Sequence, residues 1–554
     1  MQARTPRIFP SRRGLLAIAM TAACIPALPA GAQSGGPGVL EEVMVTARKR
    51  EESLLEVPDS IASFSEEMLA EANIRTLKDI SLLVPNLYMT TRLDGFPNVS
   101  MRGMGGFGNT QGVGFYLDDV QLFADQTSRF GDLQRIEVLK GPQGVLYGGS
   151  NIGGAVKYVS TRPSTEAVTG RVQGSVGEFG FADIEGEINL PLSDSWALRA
   201  FAFSETSDGY LVNPNSVRTN GQRNSNDPDV GQSERMGGRI SLAGDITDRL
   251  STFIALRYNE LDGPNNTWSL ELDPNFEYTD HIDVSLNPRH DRETTAASVE
   301  LNYDLDSITA SFIGSVTETD SRRESDLDLN QEWVLDLVRP QEFTVTTLEF
   351  RLSSNTDSPL QWQADAYYLD IDRDLDSVLN IREGFCFLDP GVCDPPPGPN
   401  DSDILAVAPF EVSARNRRQQ ALFANVTYRF ADNWEIGLGA RLDDWRSQRT
   451  NLDTGISGEQ SDTEFLGRAS LSWFASDTTM IYGSVSQGFE PGDLNLTSFE
   501  GDGELFGYGP ENATQWELGY KGQFAGGRGA VTLAAFYIDY TDRQFELQAQ
   551  RAQF

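Results

Sequence analysis

The chain has 554 residues, and its 81 acidic side chains against 44 basic ones give a formal net charge of −37. A field of that sign repels polyanions, and no basic patch interleaved with aromatic residues occurs, so the composition argues against a nucleic-acid partner. The length suffices for several ordinary domains or for one very large one.

The N-terminus has the features of an export signal. Basic residues precede an apolar run from Gly14 to Ala23, and Ala30 and Ala32 supply small side chains at the cleavage position. We expect ordinary secretion to remove residues 1–32, with a twin-arginine route and a lipoprotein site at Cys24 as alternatives. Downstream, no apolar run approaches the ~20 residues that a membrane helix needs. A membrane location therefore requires a β-barrel.

Residues 53–165 mix strand-like and helix-like pieces, including an amphipathic segment from Ser65 to Leu83, and predict a separate small α+β domain. Two glycine-rich stretches, residues 102–108 and 146–154, raise the question of a phosphate-binding loop. Neither fits the pattern GxxxxGK followed by Ser or Thr, and strand-forming sequence rather than a helix follows each of them. We interpret these glycines as sites of tight turns and close backbone packing.

From about Val168 onward, apolar and polar residues alternate, as in residues 297–305 and 434–442, which predicts strands with one apolar and one polar face. Short turns recur at every second connection, and long polar stretches such as residues 261–293 and 373–417 lie between them. Short turns on one rim and long loops on the other are typical of outer-membrane barrels.

This pattern predicts an antiparallel membrane β-barrel over residues 166–554, of which we count about fifteen strands. A secreted β-solenoid or propeller is the alternative, but no fixed repeat period is present. Bacterial single-chain barrels close with even strand numbers. The count therefore predicts a chain truncated at its C-terminus or one with a divergent end.

Cys386 and Cys393 lie in a loop rich in proline and aspartate. Because the chain carries an export signal, a disulfide between them is the natural interpretation in an oxidising compartment. A metal site would need more cysteine or histidine nearby.

Four alternating aspartates share one face at the outer end of a predicted strand. They are Asp370, Asp372, Asp374 and Asp376. Clusters of oxygen ligands suit a hard cation such as calcium. A solvated acidic rim is the interpretation that we favour, because the spacing predicts no bidentate geometry.

Several stretches, taken in order, resemble segments of the TonB-dependent outer-membrane receptors. They are EEVMVTARKREE at 41–52, VPNL at 84–87, VSMRGMG at 99–105, VGFYLDDV at 113–120 and RIEVLKGPQGVLYGGSNIGGAVKYVSTRP at 135–163. The resemblance resumes with ALFANVTYRFADNWEIGLGARLDDW at 421–445, GSVSQGFEPG at 483–492 and WELGYKGQF at 516–524. It implies a barrel of 22 strands in the family, blocked by an N-terminal plug domain inside the lumen.

The resemblance also implies a periplasmic extension over residues 33–52 that carries a TonB box. The matching residues are Glu42, Val43, Met44, Val45, Thr46 and Ala47. Such a segment pairs as an added strand with the energy-transducing partner, and the backbone of an added strand supplies affinity without demanding particular side chains. A buried edge strand of the plug is the alternative for the same residues.

In the family, plug cations face acidic residues on the barrel wall. By resemblance, Arg102 and Lys140 occupy the cation positions, and Glu490 and Glu517 occupy the wall positions. Lysine at position 140 departs from the usual arginine, since it keeps the charge but loses bidentate geometry. The alternative is that each of the four is a solvated residue of the lumen.

No catalytic motif occurs, so the sequence predicts a non-enzymatic protein without a cofactor. The resemblance implies import across the Gram-negative outer membrane, driven by a TonB-type protein in the periplasm, of a small-molecule ligand that is most often a ferric siderophore. Cobalamin, glycans and aromatic compounds are other classes of cargo in the family. A surface receptor that binds or signals without transport is the alternative from another class.

Overall fold

The computed structural model describes residues 43–91, 97–105, 112–122, 129–213, 216–217, 223–224, 228–264, 282, 284, 286–327, 335–382, 404–496 and 505–544. The predicted signal peptide, Glu42 and the Cys386–Cys393 pair lie outside these residues. In this part of the chain, no helix is long and apolar enough to span a membrane.

The N-terminal domain, hereafter the plug, contains ten short strands and three short helices. The strands are β1 (Met44–Val45), β2 (Glu52–Ser53), β3 (Ile61–Ser65), β4 (Leu87–Thr91), β5 (Pro97–Met101), β6 (Met104–Gly105), β7 (Val113–Leu117), β8 (Val120–Leu122), β9 (Leu133–Lys140) and β10 (Gly154–Ser160). The helices are α1 (Glu66–Glu71), α2 (Leu77–Leu83) and α3 (Gly144–Tyr147). A central sheet has the order β3-β9-β10-β7-β8, in which only β10 and β7 are parallel.

The amphipathic segment predicted from Ser65 to Leu83 forms two helices. The Ser65 hydroxyl accepts the backbone N–H of Met68 and caps α1, and the Asp79 carboxylate accepts the backbone N–H of Thr76 at 2.8 Å at the start of α2. Apolar side chains of both helices pack on the central sheet, with Leu69 and Ile80 buried in its core. Burial of this face, more than helix propensity, holds such short helices in place.

The glycine-rich stretch around α3 faces the barrel wall. Gly148 has a φ of 78°, which an L side chain adopts only with strain. A Cβ atom on Gly144 would lie 2.6 Å from the carbonyl oxygen of Gln487 in the wall. Both positions therefore need glycine for turn geometry and close approach, as the sequence predicted, and not for a phosphate.

The remaining strands, in chain order, are β11 (Thr169–Val176), β12 (Ala182–Pro191), β13 (Trp196–Ser207), β14 (Ser216–Val217), β15 (Arg223–Asn224), β16 (Ser233–Thr247), β17 (Leu250–Pro264), β18 (Arg289–Asp304), β19 (Ile308–Asp326), β20 (Leu335–Ser354), β21 (Leu360–Arg382), β22 (Ile404–Ala431), β23 (Trp434–Asn451), β24 (Ser457–Ser476), β25 (Thr479–Glu490), β26 (Asp493–Leu496), β27 (Leu505–Tyr508), β28 (Glu511–Phe524) and β29 (Gly529–Thr541). Fifteen of them form one antiparallel sheet, hereafter the wall, while β14–β15 and β26–β27 are separate hairpins. The predicted count of fifteen is confirmed for the described residues.

Tight turns join the wall strands on one rim, for example between β16 and β17 and between β22 and β23. The opposite ends of the strands lead into the long connections. Strands β19 to β24 extend well past the ~9–11 residues that span a membrane. The stretch 373–417, predicted as one long loop, therefore contains the ends of β21 and β22.

The two faces of the wall differ in polarity. Apolar side chains such as Leu348, Phe350 and Leu422 are exposed on the outer face. The inner face is polar and buried against the plug, as in the ion pair of Arg441 with Asp443 at 2.6 Å. Trp434 and Trp473 stack at 6.1 Å between ring centroids near the short-turn rim, where an interfacial aromatic belt is expected.

Candidate functional site

The described part of the predicted TonB box packs against the plug. Strand β1 pairs with β2, so that Met44 lies opposite Ser53 and Val45 opposite Glu52. Val45 and Ala47 are fully buried, whereas Val43 is exposed. The segment packs on the plug in a two-stranded sheet of its own, and the TonB box stays a prediction. Pairing with a periplasmic partner therefore requires the segment to leave the plug.

Buried charged groups of the plug bind the backbone of this segment. The Thr46 N–H donates to Oε1 of Glu137 at 2.8 Å, and the Thr46 carbonyl accepts from Nζ of Lys157 at 3.0 Å. The Glu137 carboxylate is itself paired with Arg135 at 2.7 Å. Withdrawal of the segment would leave these charges without their backbone partners, which is costly inside a protein.

Further ion pairs connect these charged groups of the plug to the barrel wall. Lys157 pairs with Asp119 at 2.6 Å, Asp119 lies 3.4 Å from Arg351 of β20, and Lys49 pairs with Glu349 of β20 at 2.5 Å. Burial opposes ionisation of Asp119, but the charges of Lys157, Arg351 and Lys49 outweigh it and lower the pKa of Asp119. One ionic network therefore joins the N-terminal segment, the plug sheet and the wall.

The structure brings Arg102, one of the two predicted plug cations, against Glu517, one of the two predicted wall carboxylates. Nη1 of Arg102 lies 2.6 Å from Oε2 of Glu517, and both side chains are 2 % exposed. The Glu517 carboxylate also accepts the Tyr482 hydroxyl at 2.6 Å, and the ring of Phe536 lies 4.1 Å from the Arg102 guanidinium. These contacts fix Arg102 against the last two wall strands.

The other predicted plug cation, Lys140, makes no ion pair within the described residues. The other predicted wall residue, Glu490, accepts the Ser150 hydroxyl at 3.1 Å. Burial and the neighbouring charge of Arg102 lower the pKa of Lys140, although Glu517 acts in the opposite direction. The Lys140 ammonium is therefore repelled by Arg102 and forms no ion pair with Glu490.

We predict that Arg102→Gln destabilises the plug–wall contact by about 3 kcal/mol, because loss of one partner leaves the buried Glu517 carboxylate uncompensated. Thermal unfolding of the purified protein measures this as a lower Tm. The double change Arg102→Gln, Glu517→Gln should recover part of the loss, since the two sites are coupled. Arg446→Gln is the control, because the Arg446–Glu459 pair is solvent-exposed and contributes little. Equal Tm values for Arg102→Gln and the control would contradict the prediction.

A cluster of basic residues that the sequence analysis missed lies on the inner face of the wall. We define the luminal arginine patch as Arg323, Arg339, Arg373, Arg415, Arg417 and Arg449, on strands β19 to β23. They lie 13 to 16 residues along their strands from the short-turn rim. This is beyond the ~9–11 residues of a membrane-spanning strand. The patch therefore lines the lumen on the long-loop side, more than the length of one membrane-spanning strand from the short-turn rim.

Strand register places several of these arginines directly opposite one another. Arg323 faces Arg339, Arg373 faces Arg415, and Arg415 faces Arg449 across neighbouring strands. Like charges at directly opposite positions destabilise a sheet. Burial lowers the pKa of Arg415, and the charges of Arg417, Arg373 and Arg449 lower it further. The patch thus disfavours its own positive charges and favours an anion beside them.

The hairpin β26–β27 folds into the lumen and neutralises part of the positive charge of the patch. Asp493 is buried and accepts hydrogen bonds from Arg417 at 2.8 Å and from Ser447 at 2.6 Å, and it contacts Arg415 as well. Arg449 donates to the Leu494 carbonyl at 2.7 Å and pairs with Glu411. The patch therefore holds a carboxylate of the protein itself, Asp493, among its arginines.

The four aspartates of β21 share the outer face of the wall, as their spacing predicts. The Asp370 carboxylate accepts from Arg418 at 2.7 Å, Asn416 at 2.8 Å and the Tyr368 hydroxyl at 2.8 Å. Among the residues that the structure describes, no group of three or more His, Cys, Asp or Glu side chains could hold a metal ion. The cation paired with Asp370 is the guanidinium of Arg418 on the neighbouring strand β22.

Comparison with known families agrees with this architecture. Residues 53–155 match the TonB-dependent receptor plug domain, and residues 314–553 match the TonB-dependent receptor-like β-barrel. The two matches together cover more than half of the chain. The chain belongs to the TonB-dependent receptors. It is accordingly an outer-membrane protein, and its family consists of receptors and transporters, not enzymes.

Relatives of this TonB-dependent receptor are distant in sequence. The pesticin receptor of Yersinia pestis is 23% identical over 91% of this chain and 71% of its own length. The ferrichrome outer membrane transporter/phage receptor of Escherichia coli is 23% identical over 90% of this chain and 69% of its own length. The chain thus spans about 70% of the length of these relatives.

Solved structures show the same fold. The ferric yersiniabactin uptake receptor of Yersinia pestis superposes with a TM-score of 0.74 at 19% identity, over 88% of this chain and 73% of that one. The siderophore receptor PiuA of Acinetobacter baumannii gives a TM-score of 0.67 at 15% identity, over 88% of this chain and 73% of that one.

Proposed function

We propose that this TonB-dependent receptor imports an anionic ferric chelate of the siderophore type across the outer membrane, energised by a periplasmic TonB protein. The observation that supports the chemical class of the ligand is the luminal arginine patch. A chain with a net charge of −37 repels anions in general. A local excess of arginine in its lumen supplies the attraction that the rest of the surface lacks.

The geometry of the patch suits oxygen-rich anions. Arginine side chains present planar pairs of N–H donors that match carboxylate and similar oxygens, and such charge-assisted hydrogen bonds are about twice as strong as neutral ones. A ferric chelate with carboxylate or catecholate groups carries these oxygens at its surface. Its charge would replace that of Asp493 and relieve the repulsion between Arg373, Arg415 and Arg449.

The relatives support iron as the cargo, because they include receptors named for ferrichrome and for ferric pyoverdine, and solved neighbours include the uptake receptor for ferric yersiniabactin. The N-terminal segment supports TonB dependence. Its backbone is tied through Glu137, Lys157 and Asp119 to the plug sheet and the wall. We infer that force applied to residues 43–47 acts first on these ionic contacts and thereby loosens the plug.

The test is uptake of radioactive iron by cells in which this protein is the only receptor of its kind. Three chelates separate the charge classes: a ferric tris-catecholate and a ferric citrate-type carboxylate, both anionic, and a cationic ferric trihydroxamate. We expect uptake of at least one anionic chelate, dependent on cell energy, and less of the cationic one. The control is the same cells without the receptor.

Three other results would overturn the proposal. Uptake of an acidic oligosaccharide without uptake of any ferric chelate would assign the patch to glycans. Preference for the cationic chelate would show that the arginines do not select the ligand. Surface binding of an anionic chelate without energised uptake would identify a receptor that does not transport.

A further inference from the structure

A second group of arginines surrounds a cavity between the plug and the wall. The cavity lies beside the plug residues Arg129 and Phe130 and is walled by strands β16 to β20. Three wall arginines line it, namely Arg235, Arg257 and Arg292. Arg292 and Arg257 lie 12 and seven residues from the short-turn rim along β18 and β17. The cavity is therefore deeper in the lumen than the arginine patch.

Arg129 of the plug and Arg235 of the wall are both neutralised by carboxylates of the wall. Arg129 pairs with Asp183 at 2.5 Å, Glu205 at 2.7 Å and Glu185 at 2.8 Å, and Arg235 pairs with Glu205 at 2.5 Å. Their positive charge is thus balanced within the protein, and the ion pairs of Arg129 hold the plug against the wall.

Arg257 differs from both. Within the described part of the chain it makes no ion pair, and its buried Nε has no hydrogen-bond partner. The Asp118 carboxylate, the acid whose charge acts on it, is already held by the backbone N–H and hydroxyl of Ser160 at 2.9 and 2.7 Å. A guanidinium of this kind at a cavity wall has donors available for an anion.

Aromatic rings complete the cavity. The Phe130 ring lies 5.5 Å from the Arg257 guanidinium, and Phe203 lies 4.2 Å from that of Arg129. Phe343 lines the same space. The cavity thus places aromatic rings beside a mostly polar and charged lining, and cations beside aromatic faces suit a ligand that is both aromatic and anionic.

We propose that this cavity is a second binding subsite, which takes an aromatic anion such as one catecholate or carboxylate arm of a chelate. It lies at a height between the luminal arginine patch and the ionic network that holds the N-terminal segment. Its role as a stage of import rests on the proposed function. The binding of an aromatic anion at Arg257 does not depend on the proposed function, and it is tested separately.

The experiment uses the purified full chain in detergent and three probes: 2,3-dihydroxybenzoate, inorganic sulfate and neutral catechol. Each is titrated while Tm is recorded, because a ligand that binds only the folded state raises Tm. The measurements are made in an Arg415→Gln background, so that the upper patch contributes little. Arg257→Gln removes the charge, Arg257→Lys keeps it, and Arg446→Gln on the outer face is the matched control.

We expect 2,3-dihydroxybenzoate to raise Tm, with a Kd about ten- to a hundredfold weaker in Arg257→Gln, and with Arg257→Lys between the two. The Tm of Arg257→Gln without any probe should equal or exceed that of its parent, because an uncompensated charge has been removed. The Tm without probe separates loss of binding from loss of folding.

An unchanged Kd in Arg257→Gln, or no Tm shift with 2,3-dihydroxybenzoate up to millimolar concentration, would overturn the subsite. Equal shifts with sulfate and 2,3-dihydroxybenzoate would overturn its aromatic specificity. Failure of the uptake experiment with ferric chelates would leave these readings intact, so the two proposals fail independently.

Discussion

Val43→Pro should abolish energised uptake while leaving the ligand bound at the cell surface. Val43 is exposed, and its carbonyl accepts the Leu54 N–H at 2.8 Å; proline keeps that carbonyl, removes the N–H of residue 43 and fixes its φ. The resting plug therefore tolerates the change. An added strand that pairs with TonB loses one ladder hydrogen bond and leaves the partner's acceptor unpaired, a cost of about 1–3 kcal/mol. That cost corresponds to about a five- to hundredfold change in the equilibrium constant.

Val43→Ala is the matched control for this experiment. Because strand addition uses the backbone, alanine should keep uptake near the native rate. Binding and uptake are both measured with the radioactive anionic chelate, with and without cell energy. Native uptake by Val43→Pro would show that residues 42–47 do not pair as an added strand and are only a strand of the plug.

Arg415→Gln should weaken binding of an anionic ferric chelate by about ten- to a hundredfold, the loss expected from one charge-assisted hydrogen bond of about 1.5–3 kcal/mol. Arg415 lies in the middle of the arginine patch, opposite both Arg373 and Arg449. The apparent Kd is measured on whole cells at two salt concentrations. Removal of the charge should also reduce the dependence of Kd on salt.

Arg418→Gln is the matched control, because Arg418 lies three residues along the same strand but on the outer face, paired with Asp370. It changes the net charge of the protein by the same amount without touching the lumen. Equal losses in the two variants would show that general attraction, and not the patch, binds the ligand.

The fold was predictable because its signals are local. Alternating polarity with short turns on one rim identified fifteen wall strands, and ordered motifs identified the plug. The strand ends were not predictable in the stretch 373–417. Above the membrane both faces of a strand meet water or polar side chains, so the period-two pattern disappears although β21 and β22 continue as a ladder.

The functional residues also fall into those that the sequence predicted and those that only the structure revealed. The likeness of separate motifs predicted that Arg102 and Lys140 face carboxylates of the wall, and the structure brings Arg102 to Glu517. The likeness could not show that Lys140 lies beside Arg102 and not beside Glu490. The arginine patch escaped notice because its members are scattered over more than a hundred residues of sequence. Each is an ordinary charged residue in a polar stretch until strand register aligns it with the others.

The sequence by itself determined the class of the protein: an exported chain, a small α+β domain and an antiparallel barrel wall. Periodicity and motif order depend only on neighbours along the chain. The tertiary structure alone decided where charge accumulates in the lumen, which carboxylates neutralise it and which guanidinium forms no ion pair among the described residues. Those outcomes depend on register between strands and on the docking of the plug, and both are set by contacts between residues far apart in sequence.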